Sequence, residues 1–288
     1  ETEYETSFPD RVADGAGGVR HDLTAGMLHS RVRNRFQDNA YNWVGTGTWD
    51  GTATVPADPT LTYASTNRDE RSLEFSAQDT IRFNDRLTAW AGLRHTRLDR
   101  ASINTRGAEA TSYEQGLTTP WLALGYKLAP TTLAYASWGQ GVESVIVPNR
   151  AADYINAGQV LPSLKSRQAE AGLKGGTDRF GWQLAAFQIH RPMSNIASCV
   201  AGVPCLVAMD GEAVHRGLEA QAGWSAGPWR LQGGVTWIDA QREGSSTSPA
   251  LNGTRPVNVP SLVARAQAAY TASLKDREVM IRSAVAPR

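Results

Sequence analysis

From residue 72 to residue 94 the side chains sort onto two faces. Leu73, Phe75, Ala77, Ile81 and Phe83 take the odd positions, and Ser72, Glu74, Ser76, Gln78, Thr80 and Arg82 take the even ones. Period two predicts a strand with one apolar face, because a helix would set its apolar residues three and four apart. Asn84 and Asp85 supply a tight turn, after which Leu87, Ala89, Ala91 and Leu93 resume the apolar face, so the stretch reads as a hairpin. Two residues break the pattern: Trp90 falls among the polar set and Asp79 among the apolar set.

The same rhythm recurs along the chain. Residues 1–18 read as the end of an earlier strand followed by a glycine-rich turn, and further strands are predicted near 19–33, 119–128, 133–140, 167–174, 182–190, 214–222, 229–239 and 262–270. Long connections at 34–67, 99–117, 142–166, 191–213 and 241–259 alternate with short ones at 129–131, 175–178 and 225–228. About ten strands joined in this way predict an all-β, antiparallel, up-and-down transmembrane β-barrel with long extracellular loops and short periplasmic turns. A soluble β-sandwich binding module carries loops of mixed length at both ends and fits less well.

Composition agrees with this and removes other classes. With 29 Lys+Arg against 28 Asp+Glu the formal net charge is +1, so no field points to a nucleic-acid partner. No apolar run approaches the roughly 18 residues of a membrane helix. Barrel strands escape that criterion, since half of each spanning segment is polar. The chain opens on the acidic ETEYETSF instead of a basic and then apolar leader, and is read as a mature or internal segment.

Two passages add a resemblance. AQDTIRFNDRLTAWAGLRHTRLD, from Ala77 to Asp99, resembles the Gln-Asp strand, short turn and Gly-Leu-Arg strand of TonB-dependent outer-membrane receptors, and Asp79 belongs to that motif. YASWGQGVES from Tyr135, YINAGQVLPSLKSRQAEAGLKGG from Tyr154, DGEAVHRGLEAQAGW from Asp210, TWIDAQREG from Thr236 and NGTRPVNVP from Asn252 resemble, in order and spacing, the barrel of the ferric-siderophore receptors of that family. The likeness spans most of residues 19–270.

The resemblance implies a bacterial outer-membrane receptor that takes up ferric siderophores by TonB-coupled active transport. It implies outer-membrane lipid around a 22-stranded barrel, of which residues 1–270 would be a part. A plug domain and a TonB box, through which the TonB complex would be engaged, are expected outside this sequence. No cofactor is implied, because iron would travel as a siderophore chelate. Residues 271–288 depart from the family: KDREVMIRSAVAPR is charged, is read as lacking a strand, and suggests a truncated or frameshifted end. A passive porin-like channel would share the hairpin rhythm but not the quoted motifs.

Candidate chemistry is sparse. Cys199 and Cys205 are too few for a zinc site and are expected to form a disulfide in an extracellular loop assembled from an oxidising compartment; two free thiols are the alternative. His21, His29, His95, His190 and His215 show no metal or catalytic spacing, and no GxSxG, HExxH or CxxC occurs, so neither a catalytic residue nor a metal ligand is assigned and the chain is not read as an enzyme. Tyr41, Trp43 and Trp49 in the first long loop, with Arg150 and Tyr154 in a later one, are candidate ligand contacts. Their aromatic faces suit a planar or apolar chelate, and arginine suits an anionic one. Aromatic girdle residues at the barrel rim are the competing reading.

Overall fold

The computed structural model describes residues 2–10, 18–39, 60–61, 64–108, 110–143, 145–148, 150–162, 164–274 and 277–285. Within them run twelve strands: β1 (Thr2–Asp10), β2 (Arg20–Asn34), β3 (Thr66–Arg82), β4 (Leu87–Asn104), β5 (Thr111–Ala129), β6 (Thr132–Glu143), β7 (Leu164–Gly176), β8 (Phe180–Ser198), β9 (Leu206–Ala226), β10 (Trp229–Glu243), β11 (Leu262–Leu274) and β12 (Arg277–Val285). Each pairs antiparallel with its neighbours in sequence, giving one sheet in the order β1 to β12. Among the described residues β1 and β12 each have a single partner, so the sheet is open. In such a meander successive connections emerge at opposite ends. The connections at 35–65, 144–163, 199–205 and 244–261 therefore share one rim, and the turns at 83–86, 130–131, 177–179 and 227–228 share the other.

Register carries one apolar face across the sheet. Ala77 pairs with Ala25 and Leu93, Ala91 leads through Leu122 to Trp138, and Leu173 leads through Leu184, Ala220 and Val235 to Ala264. Leu122 and Leu218 on this face are 53% and 52% exposed. In water such a surface would cost about 25 cal/mol per Å², which lipid contact removes. Aromatic residues flank the band. Phe180 pairs with Trp224 and Trp229 with Tyr270 near the short turns, the last two rings with centroids 4.8 Å apart. Trp138 and Trp237 stand toward the other rim. Trp229 and Trp237 are eight positions apart, roughly 26 Å along a strand and roughly 19 Å at a 45° tilt, most of the about 25 Å height of a barrel's apolar band.

Asp79 lies on the apolar face, opposite Leu23, where the His21 Nδ1 sits 2.6 Å from its carboxylate. A carboxylate near lipid is costly alone, and the imidazole supplies its partner. Trp90 faces the polar side and lies against Gly125; a Cβ there would come within 3.0 Å of the ring. Trp121 over Gly92 and Phe187 over Gly217 repeat the device on that same inward face, each aromatic covering backbone that a glycine leaves bare.

The structure corrects the sequence reading at three places. The connection expected over 99–117 shrinks to 105–110, because β4 and β5 continue far beyond their alternating parts. The one expected over 191–213 shrinks to 199–205 for the same reason. A membrane strand needs only about 9–11 residues, whereas β9 has 21, so about half of it stands clear of lipid, where neither face must be apolar and alternation is lost. The tail read as lacking a strand contains β12, paired with β11 from Leu274↔Arg277 to Ala266↔Val285.

Candidate functional site

The long-loop rim is built by hydrogen bonds between segments distant in sequence. Residues 144–163, between β6 and β7, fold back on themselves: Ile146 bridges Val160, Val147 N–H donates to Gln159 O at 2.9 Å, and Leu161 N–H donates to Val145 O at 2.8 Å. Gly158 makes this return with a φ of +70°, a conformation that suits glycine, and its N–H donates to Val147 O at 3.1 Å. Val147 is fully buried inside the fold-back and Leu161 nearly so, giving the loop a small apolar centre.

This loop docks on the next one. Cys199 and Cys205 are joined as a disulfide across residues 199–205. Ile155 N–H donates to Cys205 O at 2.9 Å, and Cys205 N–H donates to Asp153 O at 2.7 Å, so Tyr154 forms a parallel bridge with Cys205. Buried Asn156 adds two bonds to Val207, and Thr111 of β5 donates from Oγ1 to Gly158 O at 3.1 Å. The tops of β5, β6, β7, β8 and β9 are thereby tied into one unit. Arg150 and Tyr154 both lie in it, linked by the Tyr154 N–H to Arg150 O bond of 2.9 Å, with the Arg150 guanidinium half exposed and 3.8 Å from Asp153. Tyr41, Trp43 and Trp49 lie outside the described residues.

Two further clusters stand on this rim that the sequence reading did not single out. Asp38 accepts from the Thr105 hydroxyl and from Arg106 Nε at 2.8 Å, bonds that, the Thr105 hydroxyl first, hold its carboxyl below the usual carboxylate range. Together with Arg35–Asp69 at 2.7 Å and Asn39–Ser65 at 2.8 Å, they fix both ends of the 35–65 connection against β3 and β4. Asp210, near the start of β9 and well above the lipid band, accepts from the hydroxyls of Ser245, Ser246 and Thr247 and from the N–H groups of Ser246 (2.8 Å) and Thr247 (3.3 Å). These bonds, the Ser245 and Thr247 hydroxyls first, hold the Asp210 carboxyl far below its ordinary range. The Ser-Ser-Thr run was the available signal, but only the fold brings it to Asp210.

Below the rim the inward face is polar. Glu74 lies 3.4 Å from Arg94, Tyr135 donates to Glu170 at 2.6 Å, Gln183 donates to the Tyr135 oxygen at 3.1 Å, and Lys174 sits 5.4 Å from the centre of the Tyr135 ring. Among the described residues no group of three or more His, Cys, Asp or Glu side chains is placed to hold a metal ion. What the arrangement offers is a firmly tied set of loops above a hydrophilic wall. That suits capture and passage of a solute.

Comparison with known proteins places this architecture. The chain is 26% identical over 281 residues to the ferrichrome receptor FcuA of Yersinia enterocolitica, an alignment that takes in 89% of the chain and 36% of that receptor. Its fold is similar to BauA, the ferric preacinetobactin receptor of Acinetobacter baumannii, with a TM-score of 0.68 and 23% identity over 96% of the chain and 42% of BauA. It is likewise similar to the alcaligin outer-membrane receptor FauA of Bordetella pertussis, with a TM-score of 0.62 and 18% identity over 98% of the chain and 44% of FauA. The chain thus spans well under half the length of these relatives. The family model described as TonB dependent receptor-like, beta-barrel matches residues 2–277, and the chain belongs to that family.

Proposed function

We propose that this chain supplies part of the wall and outer loops of a bacterial outer-membrane receptor that takes up a ferric siderophore by TonB-coupled transport. The observation that carries the reading is a membrane-type meander whose interlocked loops gather at one rim, in a chain whose family match covers residues 2–277. The ferrichrome receptor relative supports an iron chelate as the cargo. In this reading the work is binding and gating, with no covalent step: loops capture the chelate, a plug elsewhere in the receptor moves under force from the TonB complex, and the polar lumen gives passage. Arg150 and Tyr154 are the contacts we assign on the docked loop, and Tyr41, Trp43 and Trp49 those on the first long connection.

The test is uptake of ⁵⁵Fe-labelled siderophores by cells that lack their own receptors and express the full-length protein, with and without TonB. TonB-dependent accumulation of one chelate, reduced by deletion of residues 148–158, is the expected result. Equal entry of several small solutes irrespective of TonB would instead mark a passive channel and overturn the proposal.

A further inference from the structure

Toward the long-loop rim the wall forks between β5 and β6. Their ladder runs from Ala129↔Thr132 up to Trp121↔Gly139 and stops there, although β5 continues with β4 to Ser102↔Thr111 and β6 continues with β7 to Glu143↔Leu164. Pro120 supplies the reason. The Lys127 N–H donates to Arg86 O at 2.8 Å, so by antiparallel alternation the odd residues of β5 bond toward β4 and the even ones toward β6. The next rung needs an N–H from Pro120, which has none. Beyond it the backbone groups of Ser112, Glu114, Gly116 and Thr118 face away from β4 with no strand beside them among the described residues. Such an edge is a template for another extended backbone.

At the foot of the fork, beside Trp138 of the aromatic flank, lies a cavity of about 410 Å³, within the roughly 300–1,000 Å³ range of small-molecule sites. Register turns Trp121, Ser137, Gly139, Gly141, Ser166 and Gln168 of its lining toward the lumen. They give a floor of small residues, hydroxyls and an amide for hydrogen bonds, and one indole face. Among the described residues Arg167 is the single charged member of the lining, and register turns its side chain outward, 3.7 Å from Glu212. The recess itself is therefore uncharged. Above it stands the β6–β7 loop that carries Arg150 and Tyr154, held to the top of β5 by the bond of 3.1 Å from Thr111 Oγ1 to Gly158 O.

We propose that the fork is a subsite for a ferric chelate of zero net charge built on a peptide backbone, with the chelate core in the recess and the peptide amides along the free edge of β5. One negative charge from each of three hydroxamates cancels the charge of ferric iron. Three catecholates leave a trianion, which an uncharged recess does nothing to offset. Free N–H and C=O groups at every second residue of β5 match the spacing of an extended peptide, so the edge and the recess select for two different parts of one solute. The proposal rests on the uptake reading given above and names the class of chelate within it.

The test is equilibrium binding, followed by tryptophan fluorescence, of three ferric complexes to the full-length protein in neutral detergent. The first is that of an end-capped peptide of three δ-N-acetyl-δ-N-hydroxyornithines, the second its analogue with methylated backbone amides, and the third an anionic tris-catecholate. The first is expected to bind at least roughly tenfold more tightly than either of the others. Gly116→Pro removes an edge N–H without touching the β4 ladder, and should weaken the first complex roughly fivefold while leaving the methylated one unchanged. Ser137→Leu, which fills the recess, should weaken both hydroxamate complexes about tenfold. Equal affinity for the methylated and unmethylated peptides, measured on the unmodified protein, would overturn the proposal. So would tighter binding of the catecholate, or hydroxamate binding undiminished in Ser137→Leu, and each of these leaves the uptake reading standing. Binding of none of the three would overturn both.

Discussion

Asn156 and Val207 are 51 residues apart in sequence and bonded twice: Asn156 Nδ2 donates to Val207 O at 2.8 Å, and Val207 N–H donates to Asn156 Oδ1 at 3.2 Å. One amide side chain thus joins the β6–β7 loop to the first turn of the β9 ladder, as a strand partner would. Asn156→Ala is expected to loosen the docked loop by about 1–3 kcal/mol, since it leaves backbone groups of a half-buried segment without a partner. Hydrogen exchange should show faster exchange at Ile155 and Cys205 with the β9–β10 ladder unchanged. Unaltered protection at both amides would refute the role given to Asn156.

Gly92 pairs with Trp121 across β4 and β5, and a Cβ at Gly92 would lie 2.3 Å from the indole Nε1. Gly92→Ala must therefore move the ring, at a cost of about 1–3 kcal/mol as for overpacking elsewhere. At Gly181 an added Cβ meets nothing within 4 Å, so Gly181→Ala is the matched control. Urea midpoints of the two variants in the same detergent should separate in that order. Equal midpoints would show that Trp121 turns aside freely.

Loss of the Cys199–Cys205 bond should act on the rim and spare the wall, because the β8–β9 ladder begins at Ser198↔Leu206, outside the small ring. In the folded protein neither thiol should label until reductant is added. After reduction, proteolysis within residues 144–163 should accelerate, since Ile155 and Asp153 both bond to the backbone of Cys205. A disulfide of ordinary worth contributes about 2 kcal/mol, enough for a many-fold change in cleavage rate. Labelling of both thiols without reductant would contradict the bond.

Asp210 makes a pH prediction with a definite sign. Hydroxyl and backbone donors from Ser245 to Thr247 favour its charged form, so its folded-state pKa lies below the unfolded one. Stability from this group is fully present above the unfolded value and disappears as pH falls through the depressed folded value. The 244–261 loop should accordingly stay anchored through mild acid, past the range in which ordinary carboxylates protonate. Asp210→Asn, which cannot accept as many bonds, should release the Ser246 and Thr247 amides to exchange at neutral pH, and loss of their protection already near the ordinary aspartate pKa in the unmodified protein would show the carboxyl is not held down.

Made alone, this chain should not give stable single-channel steps of uniform size in a planar bilayer. β1 and β12 have one partner each among the described residues, and an unpaired strand edge in lipid leaves backbone groups unsatisfied at several kcal/mol apiece. Uniform steps from a monomer would mean that the edges meet.

Alternation alone located the spanning parts of the strands and their faces. Lipid outside and water inside impose opposite demands on successive residues, so Leu73, Phe75 and Ala77 declared an apolar side before any partner was known. Even the outliers were legible as outliers. Their reasons were not: Asp79 has its place because His21 lies beside it, and Trp90 because Gly125 leaves room on the neighbouring strand. Above the membrane the two-faced constraint ends, and so did the sequence signal. The extensions of β4, β5, β8 and β9, the pairing of β12, and the loop contacts of Asn156, Asp38 and Asp210 depend on backbone and polar partners tens of residues away. Such bonds place no period on the chain that makes them, and only the folded sheet, by fixing which strand ends stand side by side, decides them.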